Sequence, residues 1–314
     1  MANLDSSYLF AIGKIRALET KLIGLSYFFH FLESERFKAF HHFLQEKGYP
    51  QFKGVNSIDS ILKGEIQKTY SLIILLDKSK ILNDVIFLKN DLHNLKLCLK
   101  QKYFFKQNDI KKIFISQAQI SYTEMINIVE NEKWKRLFYP LGQWITQLVK
   151  KRIESPLEID LFFDKRYVLW VKSKFMFSSI ISAYYQKYID WINIRFFFRV
   201  KTKNAVERFF IKGGILKKDI FLKLANSSKN EILKEFSSYG YDVSFDLEQL
   251  ERNLDDCLLS AVIPAKYITF GIEPLFGFLI AKDREIKNVR NLLYGKYNNL
   301  SEEEIKVRFR KTYV

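Results

Sequence analysis

The sequence predicts an all-α protein, and three observations lead to that prediction. The 314 residues include only 5 Pro and 12 Gly, which is few for a protein built from turns and sheets. Apolar residues recur at helical spacing, as at Leu9, Ile12 and Ile15, and no stretch alternates with period two for long enough to form a strand. Hydrophobic residues make up 48% of the chain, which indicates a folded core.

The first half of the chain is predicted to form helices with short connections. Four of them are long, and they cover 6–32, 35–46, 57–76 and 80–105. Gly48 and Pro50 end the second of these helices. Three shorter helices are predicted at 109–115, 122–134 and 139–152.

The second half shows the clearest helix starts. A Ser at the N-cap with a Glu three residues later predicts a capping box, in which two free backbone N–H groups are satisfied reciprocally. The three pairs are Ser155 with Glu158, Ser228 with Glu231, and Ser301 with Glu304. The predicted helices are 156–174, 176–203, 216–224, 229–237, 246–259, one that starts at Pro274 and ends at Gly295, and a terminal helix after Ser301. Gly213 and Gly214 interrupt the helical pattern.

A twelve-residue pattern occurs three times, about a hundred residues apart, and indicates an internal repeat. It reads acid-x-x-Asn-aliphatic-base-x-x-apolar-x-x-Lys. Its acid, Asn and Lys positions are Asp91, Asn94 and Lys102 in the first copy, Asp190, Asn193 and Lys201 in the second, and Glu285, Asn288 and Lys296 in the third. The chain is therefore predicted to consist of three helical repeats, at 1–107, 108–204 and 205–314.

On a helix the acid, the Asn and the Lys of this pattern fall within an arc of roughly 80° beside an apolar stripe. The residue seven positions after the acid (Cys98, Phe197 or Leu292) is apolar and lies inside that arc. The alternative is an ordinary amphipathic helix whose charges are solvated. Because Asn forms helices poorly, its recurrence favours a partly buried side chain that hydrogen-bonds across the seam between repeats. Three equivalent units would close about a pseudo-threefold axis, with this polar stripe facing it.

The charge balance is strongly basic. Lys and Arg number 51 against 35 Asp and Glu, which gives a net charge of +16. Such a charge suits nucleic acid or an anionic membrane surface, or it reflects a solvated Lys-rich surface. Bases and aromatic residues interleave at 191–203, a mixture that proteins binding single-stranded nucleic acid also use. A basic helical nucleic-acid-binding protein is therefore the alternative function.

Motifs of catalysis and of metal binding are absent from the sequence. Gly213-Gly214 is not followed by the Lys-Ser/Thr of a phosphate-binding loop. The adjacent His41 and His42 do not share a helix face, and no Cys pair has metal-ligand spacing. Asp160 and Asp164 are expected to be charged side chains near a helix start. We therefore predict no catalytic site, no cofactor and no metal.

No segment is predicted to cross a membrane. The polar, acidic start of the chain is unlike a signal peptide. The most apolar long window, 267–281, carries Glu273 and Pro274 and is too short to span a bilayer. Cys98 and Cys257 have no disulfide or redox pattern, which is typical of a reducing compartment.

Several motifs carry a family resemblance. They are Asp-Leu-His-Asn-Leu-Lys at 91–96 with Lys100, Phe-Gly-Ile-Glu-Pro-Leu-Phe at 270–276 with Ala281-Lys282 and 285–290, the double glycine at 213–214, and Leu-Ser-Glu-Glu-Glu-Ile at 300–305. In these motifs the chain resembles the C subunit of archaeal and bacterial A/V-type ATP synthases, which is related to the d subunit of the eukaryotic vacuolar ATPase. Gly13 and Lys14 depart from the family pattern, as does the strongly basic balance.

The resemblance implies an all-helical, funnel-like protein of three similar subdomains with no active site of its own. Its expected role is that of a central-stalk adaptor for ion transport. The expected partners are the shaft subunits D and F and the membrane ring of proteolipids, at the cytoplasmic face of the membrane as a peripheral protein. Neither the coupling ion nor the direction of operation follows from the sequence.

Overall fold

The computed structural model describes residues 8–51, 58–105, 109–151 and 153–314. Regular structure in these ranges is entirely helical, which confirms the predicted all-α class. The α-helices are α1 (Leu9–Glu19), α2 (Leu25–His30), α3 (Ser34–Glu46), α4 (Ile58–Leu76), α5 (Ile81–Tyr103), α6 (Tyr122–Glu130), α7 (Leu141–Leu148), α8 (Pro156–Lys174), α9 (Ser179–Val200), α10 (Lys203–Phe209), α11 (Lys218–Leu224), α12 (Lys229–Ser238), α13 (Leu247–Val262), α14 (Glu273–Tyr297) and α15 (Glu302–Lys306). Short 3₁₀ helices occupy Ile110–Ile113, Trp134–Arg136 and Ile263–Tyr267.

The long helix predicted at 6–32 is wrong, because the chain turns between α1 and α2. The backbone N–H of Ile23 donates to Glu285 Oε2 at 2.7 Å, and this bond takes Ile23 out of the helical hydrogen-bond pattern. Gly24 then stands in extended conformation as the N-cap of α2. Residues 6 and 7 of the predicted helix lie outside the described ranges, as does residue 57 of the third one.

The helices that carry the second and third copies of the twelve-residue pattern also have other bounds than predicted. The helix predicted at 176–203 starts at Ser179, because Ser178 caps it, and ends at Val200, because Lys201 adopts a left-handed conformation with φ 43°. The helix predicted to end at Gly295 continues to Tyr297. Gly295 therefore lies inside α14, and a glycine is needed there because a Cβ would meet Ile305 Cγ1 at 2.5 Å.

The weaker helices of the first half are shorter than predicted. The stretch 109–115 forms only the 3₁₀ helix Ile110–Ile113. The helix predicted at 122–134 ends at Glu130, and the one predicted at 139–152 covers Leu141–Leu148, with residue 152 outside the described ranges. Helices this short are marginal by themselves, so their extent depends on tertiary contacts more than on local preference.

Two of the three predicted capping boxes are complete. Ser228 with Glu231, and Ser301 with Glu304, satisfy each other's backbone N–H groups as predicted. At α8, Ser155 Oγ accepts the N–H of Glu158, but Glu158 Oε2 accepts the N–H of Glu154 instead of that of Ser155. Only one of the two hydrogen bonds of a capping box is therefore present at α8, so the capping box predicted for Ser155 and Glu158 is wrong.

The chain forms two compact units, which comprise Lys80–Phe175 and the remainder, Met1–Ser79 with Met176–Val314. In the smaller unit, α5 packs against α6 and α8. Its fully buried side chains include Leu95, Phe163 and Val168. The threefold division at 1–107, 108–204 and 205–314 stays a prediction.

The larger unit contains two hydrophobic clusters. One joins α2, α3 and α4 to α14 and includes Phe28, Phe40 and Leu293. The other joins α9 to α11, α12 and α13, and it is built around Phe197, Phe221 and Phe236. Ring centroids in this second cluster lie 5.6 to 6.0 Å apart in edge-on or tilted arrangements, which aromatic pairs favour.

Within the described ranges, none of the helices combines the length and the apolar character that are needed to cross a membrane.

Candidate functional site: three buried polar clamps

The asparagine of each sequence repeat binds the backbone of one other residue through both ends of its amide. Its Oδ1 accepts that residue's N–H, and its Nδ2 donates to the same residue's C=O. The pairs are Asn94 with Ile115, Asn193 with Ile211, and Asn288 with Arg310, and all six bonds measure 2.8 to 2.9 Å. We call each pair an asparagine clamp.

The clamps are internal, since the three asparagines are between 0% and 4% exposed. Each one fixes a chain segment that returns to the helix 18 to 22 residues later. An amide matches a peptide group in its donor and acceptor, so it satisfies backbone groups that would otherwise be buried unpaired. The asparagines are buried and hydrogen-bonded to a later segment of the chain, while their placement at a seam between repeats stays a prediction.

The acid of the first two copies holds the same returning segment a few residues further on. Asp91 accepts the backbone N–H groups of Gln119 and Ile120 at 2.9 and 3.0 Å. In the second copy, Asp190 accepts those of the residues at 215 and 216 at 2.8 and 3.1 Å, and also the hydroxyl of Tyr241 at 2.8 Å. Both carboxylates are fully buried, and the N–H groups are the donors that keep them there.

The acid of the third copy has a different backbone partner. Glu285 accepts the N–H of Ile23 and the hydroxyl of Tyr49, both at 2.7 Å, and pairs with Lys282 at 2.7 Å. Ile23 precedes Glu285 by 262 residues. The third carboxylate thus binds the turn between α1 and α2 instead of a segment that follows its own helix.

The lysine of each copy reaches a short helix that follows its own helix in the chain. Lys102 donates to the carbonyl of Val129 at 2.9 Å, near the end of α6. In the second copy, Lys201 donates to the carbonyl of Ser227 at 3.3 Å, next to the cap of α12. Lys296 lies 3.6 Å from Glu302 at the start of α15. Acid, Asn and Lys therefore act together to fix the segments around each repeat helix, and an axial position for them stays a prediction.

A buried ion network adds to the third clamp. Lys282 lies 2.6 Å from Glu65 of α4 and 2.7 Å from Glu285, and both carboxylates are 2% exposed. Burial by itself would lower the pKa of Lys282, but the two carboxylates outweigh burial and raise it. Burial and the nearby Glu285 likewise raise the pKa of Tyr49 well above its ordinary value. Sequence reasoning missed Glu65, because nothing local marks it as buried.

A second buried network surrounds Asp255 of α13. Arg284 and Arg310 approach its two oxygens at 2.6 Å, and Lys287 lies 3.4 Å away. Burial by itself would raise the pKa of Asp255, but these cations lower it. Since Arg310 is also the residue held by Asn288, this network and the third asparagine clamp fix the same segment.

The carboxylate pair noted in the sequence forms salt bridges within the smaller unit. Asp164 lies 2.7 Å from Lys96, and Asp160 lies 2.7 Å from Lys100 and 3.3 Å from Lys96. Burial by itself would lower the pKa of Lys96, but the carboxylates outweigh it and raise that pKa. These bridges connect α5 to α8, so the pair has a structural role beyond that of helix-start charges.

The basic and aromatic stretch at 191–203 is used in packing. Phe196 and Phe197 are buried, and the ring of Phe198 lies 5.0 Å from that of Phe245. Arg195 pairs with Glu251 at 2.9 Å. Bases of a nucleic acid need exposed rings on which to stack, so this stretch gives no support to the alternative function. In the described ranges, no three His, Cys, Asp or Glu side chains group as metal ligands.

The contribution of Asp91 to the stability of the fold is expected to depend on pH. Burial raises the pKa of Asp91 to about 6, against the opposing effect of the N–H groups of Gln119 and Ile120. The unfolded carboxyl titrates near 3.8. Between these values the folded state binds more protons than the unfolded state, so stability falls as the pH rises from 4 to 6 and is constant above that, with a total loss of about 2–3 kcal/mol.

The measurement is urea unfolding at pH 4.5 and pH 7 for the wild-type chain and for Asp91→Asn. Because asparagine does not titrate, we expect Asp91→Asn to lack the loss of stability that Asp91 causes in the wild-type chain between these two pH values. An equal pH dependence in the two proteins would show that Asp91 titrates at its ordinary value.

The double glycine at 213–214 lies where the chain passes close to the carboxylate of Asp190. A Cβ on Gly214 would overlap Asp190 Oδ1, and Gly213 has a φ of 109°. We expect Gly214→Ala to lower the stability of the larger unit by about 1–3 kcal/mol, as overpacking does elsewhere. Gly13→Ala is the matched control, since nothing lies within 4 Å of a Cβ there and alanine favours a helix. Equal unfolding midpoints for the two variants would refute the close approach.

The fold and the clamps together define an all-helical protein whose repeated helix binds segments of its own chain through buried polar groups. Residues 11–308 match the model of the family described as ATP synthase (C/AC39) subunit. The chain belongs to this family, and so to the subunits of rotary ATP synthases.

Individual relatives carry names of the same kind. The chain is 22% identical over 336 residues to the C subunit of an A-type ATP synthase from Methanococcoides burtonii, and the match covers 96% of this chain and 94% of the relative. It is 23% identical over 339 residues to the corresponding A-type protein from Methanosarcina barkeri, covering 97% and 93%. The C subunit of a V-type sodium ATPase from Enterococcus hirae is 38% identical over 104 residues, which are 33% of this chain and 30% of the relative.

Proposed function

We propose that this chain is a non-catalytic central-stalk adaptor of an A/V-type rotary ATPase. It links the rotating shaft, formed by the D and F subunits, to the membrane ring of proteolipids, as a peripheral protein at the cytoplasmic face. The observation that carries this proposal is the family match, which extends over residues 11–308 and so over nearly the whole chain.

The physical requirements of an adaptor support the proposal. A body that passes torque between two partners has to resist deformation, and buried hydrogen-bond networks with every group satisfied make a structure rigid. The three asparagine clamps are of this kind. The buried ion pairs of Lys282 with Glu65 and of Arg284 with Asp255 add further links between helices. We include in the proposal that the three repeats surround a pseudo-threefold axis in a funnel-like body.

The test is a complex reconstituted in vesicles with and without this chain. With the chain present, ATP hydrolysis drives ion uptake, measured separately with proton-sensitive and sodium-sensitive dyes. Without it, the catalytic head still hydrolyses ATP but no ion enters. Ion uptake that is the same in the two preparations would contradict an adaptor role.

A binding experiment separates the adaptor from the nucleic-acid alternative. The adaptor is retained by immobilised D and F subunits and by the detergent-solubilised ring. A nucleic-acid-binding protein is retained by neither and instead binds DNA or RNA with a steep dependence on salt. Retention by nucleic acid alone would replace the proposed function by the alternative.

A further inference from the structure

The segment held by Asp190 contains an unusual turn that is exposed to solvent. We call residues 212–218 the basic turn; they read Lys-Gly-Gly-Ile-Leu-Lys-Lys. Asp190 holds this turn by its backbone, while Lys212 and Lys217 are exposed and Lys218 is half-buried. The side chain of Ile215 is 49% exposed in the middle of these lysines.

The clamp itself does not require this composition. In the first copy Asp91 holds the corresponding turn in the same way, through two backbone N–H groups. In that turn, Ser116, Gln117 and Ala118 lie between Ile115, which Asn94 binds, and the N–H groups that Asp91 binds. None of these three residues is charged. Gly214 is explained by its close approach to Asp190, but the lysines and the exposed isoleucine of the basic turn have no role in holding it.

The basic turn contains three lysines and no acidic residue. Within the described ranges, no carboxylate forms an ion pair with Lys212, Lys217 or Lys218. The only acid between residues 211 and 222 is Asp219, in the first turn of α11. Three lysines and one exposed apolar side chain thus share a single short turn.

This combination fits the surface of an anionic bilayer. Ammonium groups attract the phosphates of headgroups, and an apolar side chain beside them enters the boundary between headgroups and acyl chains. The phosphates of nucleic acid would attract the same charges, but the basic turn has no aromatic ring for a base to stack on, and an exposed isoleucine gains nothing there. We infer that the basic turn binds anionic phospholipid headgroups, with Ile215 inserted between them. The inference rests on the proposed function in placing the chain at a membrane.

The experiment measures co-sedimentation of the full chain with vesicles of phosphatidylcholine, with and without phosphatidylglycerol. The wild-type chain binds the anionic vesicles far more strongly. Each base near such a surface strengthens binding about five-fold, so the triple variant K212Q/K217Q/K218Q loses about a hundred-fold in partition coefficient. Ile215→Ser loses several-fold at unchanged net charge.

The control removes the same number of charges elsewhere. Lys14 on α1, Lys38 on α3 and Lys78 after α4 are exposed, so K14Q/K38Q/K78Q has the same net charge as the test variant. Thermal unfolding midpoints equal to that of wild type establish that the variants fold. A weak effect of this control alongside a large effect of the test variant supports the inference.

Two outcomes would overturn it. Equal losses in the two triple variants would mean that only net charge attracts the vesicles. A test variant that still binds vesicles but no longer binds nucleic acid or the D and F subunits would assign the basic turn to that other partner. Failure of the adaptor proposal would show separately, as absent retention by shaft and ring while vesicle binding persists.

Discussion

Lys282→Met is expected to cause the largest loss of stability of any single substitution discussed, about 3–5 kcal/mol. The substitution removes the cation that lies between the buried carboxylates of Glu65 and Glu285. Breaking a buried ion pair from one side has a cost of this size, because the remaining charge is neither paired nor hydrated. Among the cations in the described ranges, Lys68 then remains as the partner of Glu65, at 3.7 Å and with its side chain 61% exposed.

The pH dependence of this variant distinguishes a lost charge from lost packing. Without Lys282, burial and mutual repulsion favour the protonated forms of Glu65 and Glu285. The deficit of Lys282→Met relative to wild type therefore shrinks as the pH falls from 7 to 5. In the wild-type chain the pKa of Lys282 is raised, so its contribution is complete below about pH 10.5 and is lost as the pH rises through that raised pKa.

Urea unfolding at pH 5 and pH 7 provides the measurement, with Lys14→Met as the matched control. Lys14 is an exposed helical lysine, and surface substitutions of this kind change stability by less than about 0.5 kcal/mol. A Lys282→Met deficit that is small, or the same at the two pH values, would mean that the network is not buried as described.

Replacing the clamp asparagines by alanine is expected to cost about 2–4 kcal/mol at each position. Each substitution strands one backbone N–H and one C=O, which are buried at Ile211 and part-buried at Ile115 and Arg310. A buried unsatisfied group costs about 1–3 kcal/mol. Because the three clamps have the same geometry, Asn94→Ala, Asn193→Ala and Asn288→Ala should be similar in effect. Unfolding midpoints of the three variants are the measurement.

Asn230→Ala supplies the control for this series. Asn230 is exposed on α12, and alanine is the better helix former, so the control is neutral or slightly stabilising. A double-mutant cycle between Asn193 and Asp190 should show coupling, since both hold the segment 211–216. Clamp variants as stable as Asn230→Ala would contradict a structural role for the asparagines.

The sequence predicts what is local in this fold. Helical class, the complete capping boxes at Ser228 and Ser301 and the start of α8 depend on residues within one or two turns of each other. The repeated Asn was also visible, because a poor helix former at the same place in three helices needs a reason. Its partner was not visible, since that partner is a backbone group with no side-chain signature.

The features that sequence reasoning missed depend on contacts distant along the chain. The break after α1 follows from a bond between Ile23 and Glu285, which are 262 residues apart. Likewise Asp255 acquires its cations from Arg284 and Arg310 only after α13 and α14 have packed. The apolar pattern around 20–24 continues through the break, so periodicity alone favoured one long helix.

A cryo-electron microscopy map of the assembled ATPase containing this chain tests the adaptor role most directly. The proposed function predicts helical density for this chain on the rotation axis, in contact with the shaft above and the proteolipid ring below. The map would also show whether the three clamp helices are related by rotation about that axis. Density for the chain at the periphery of the complex, or a shaft that meets the ring without it, would contradict the proposed function.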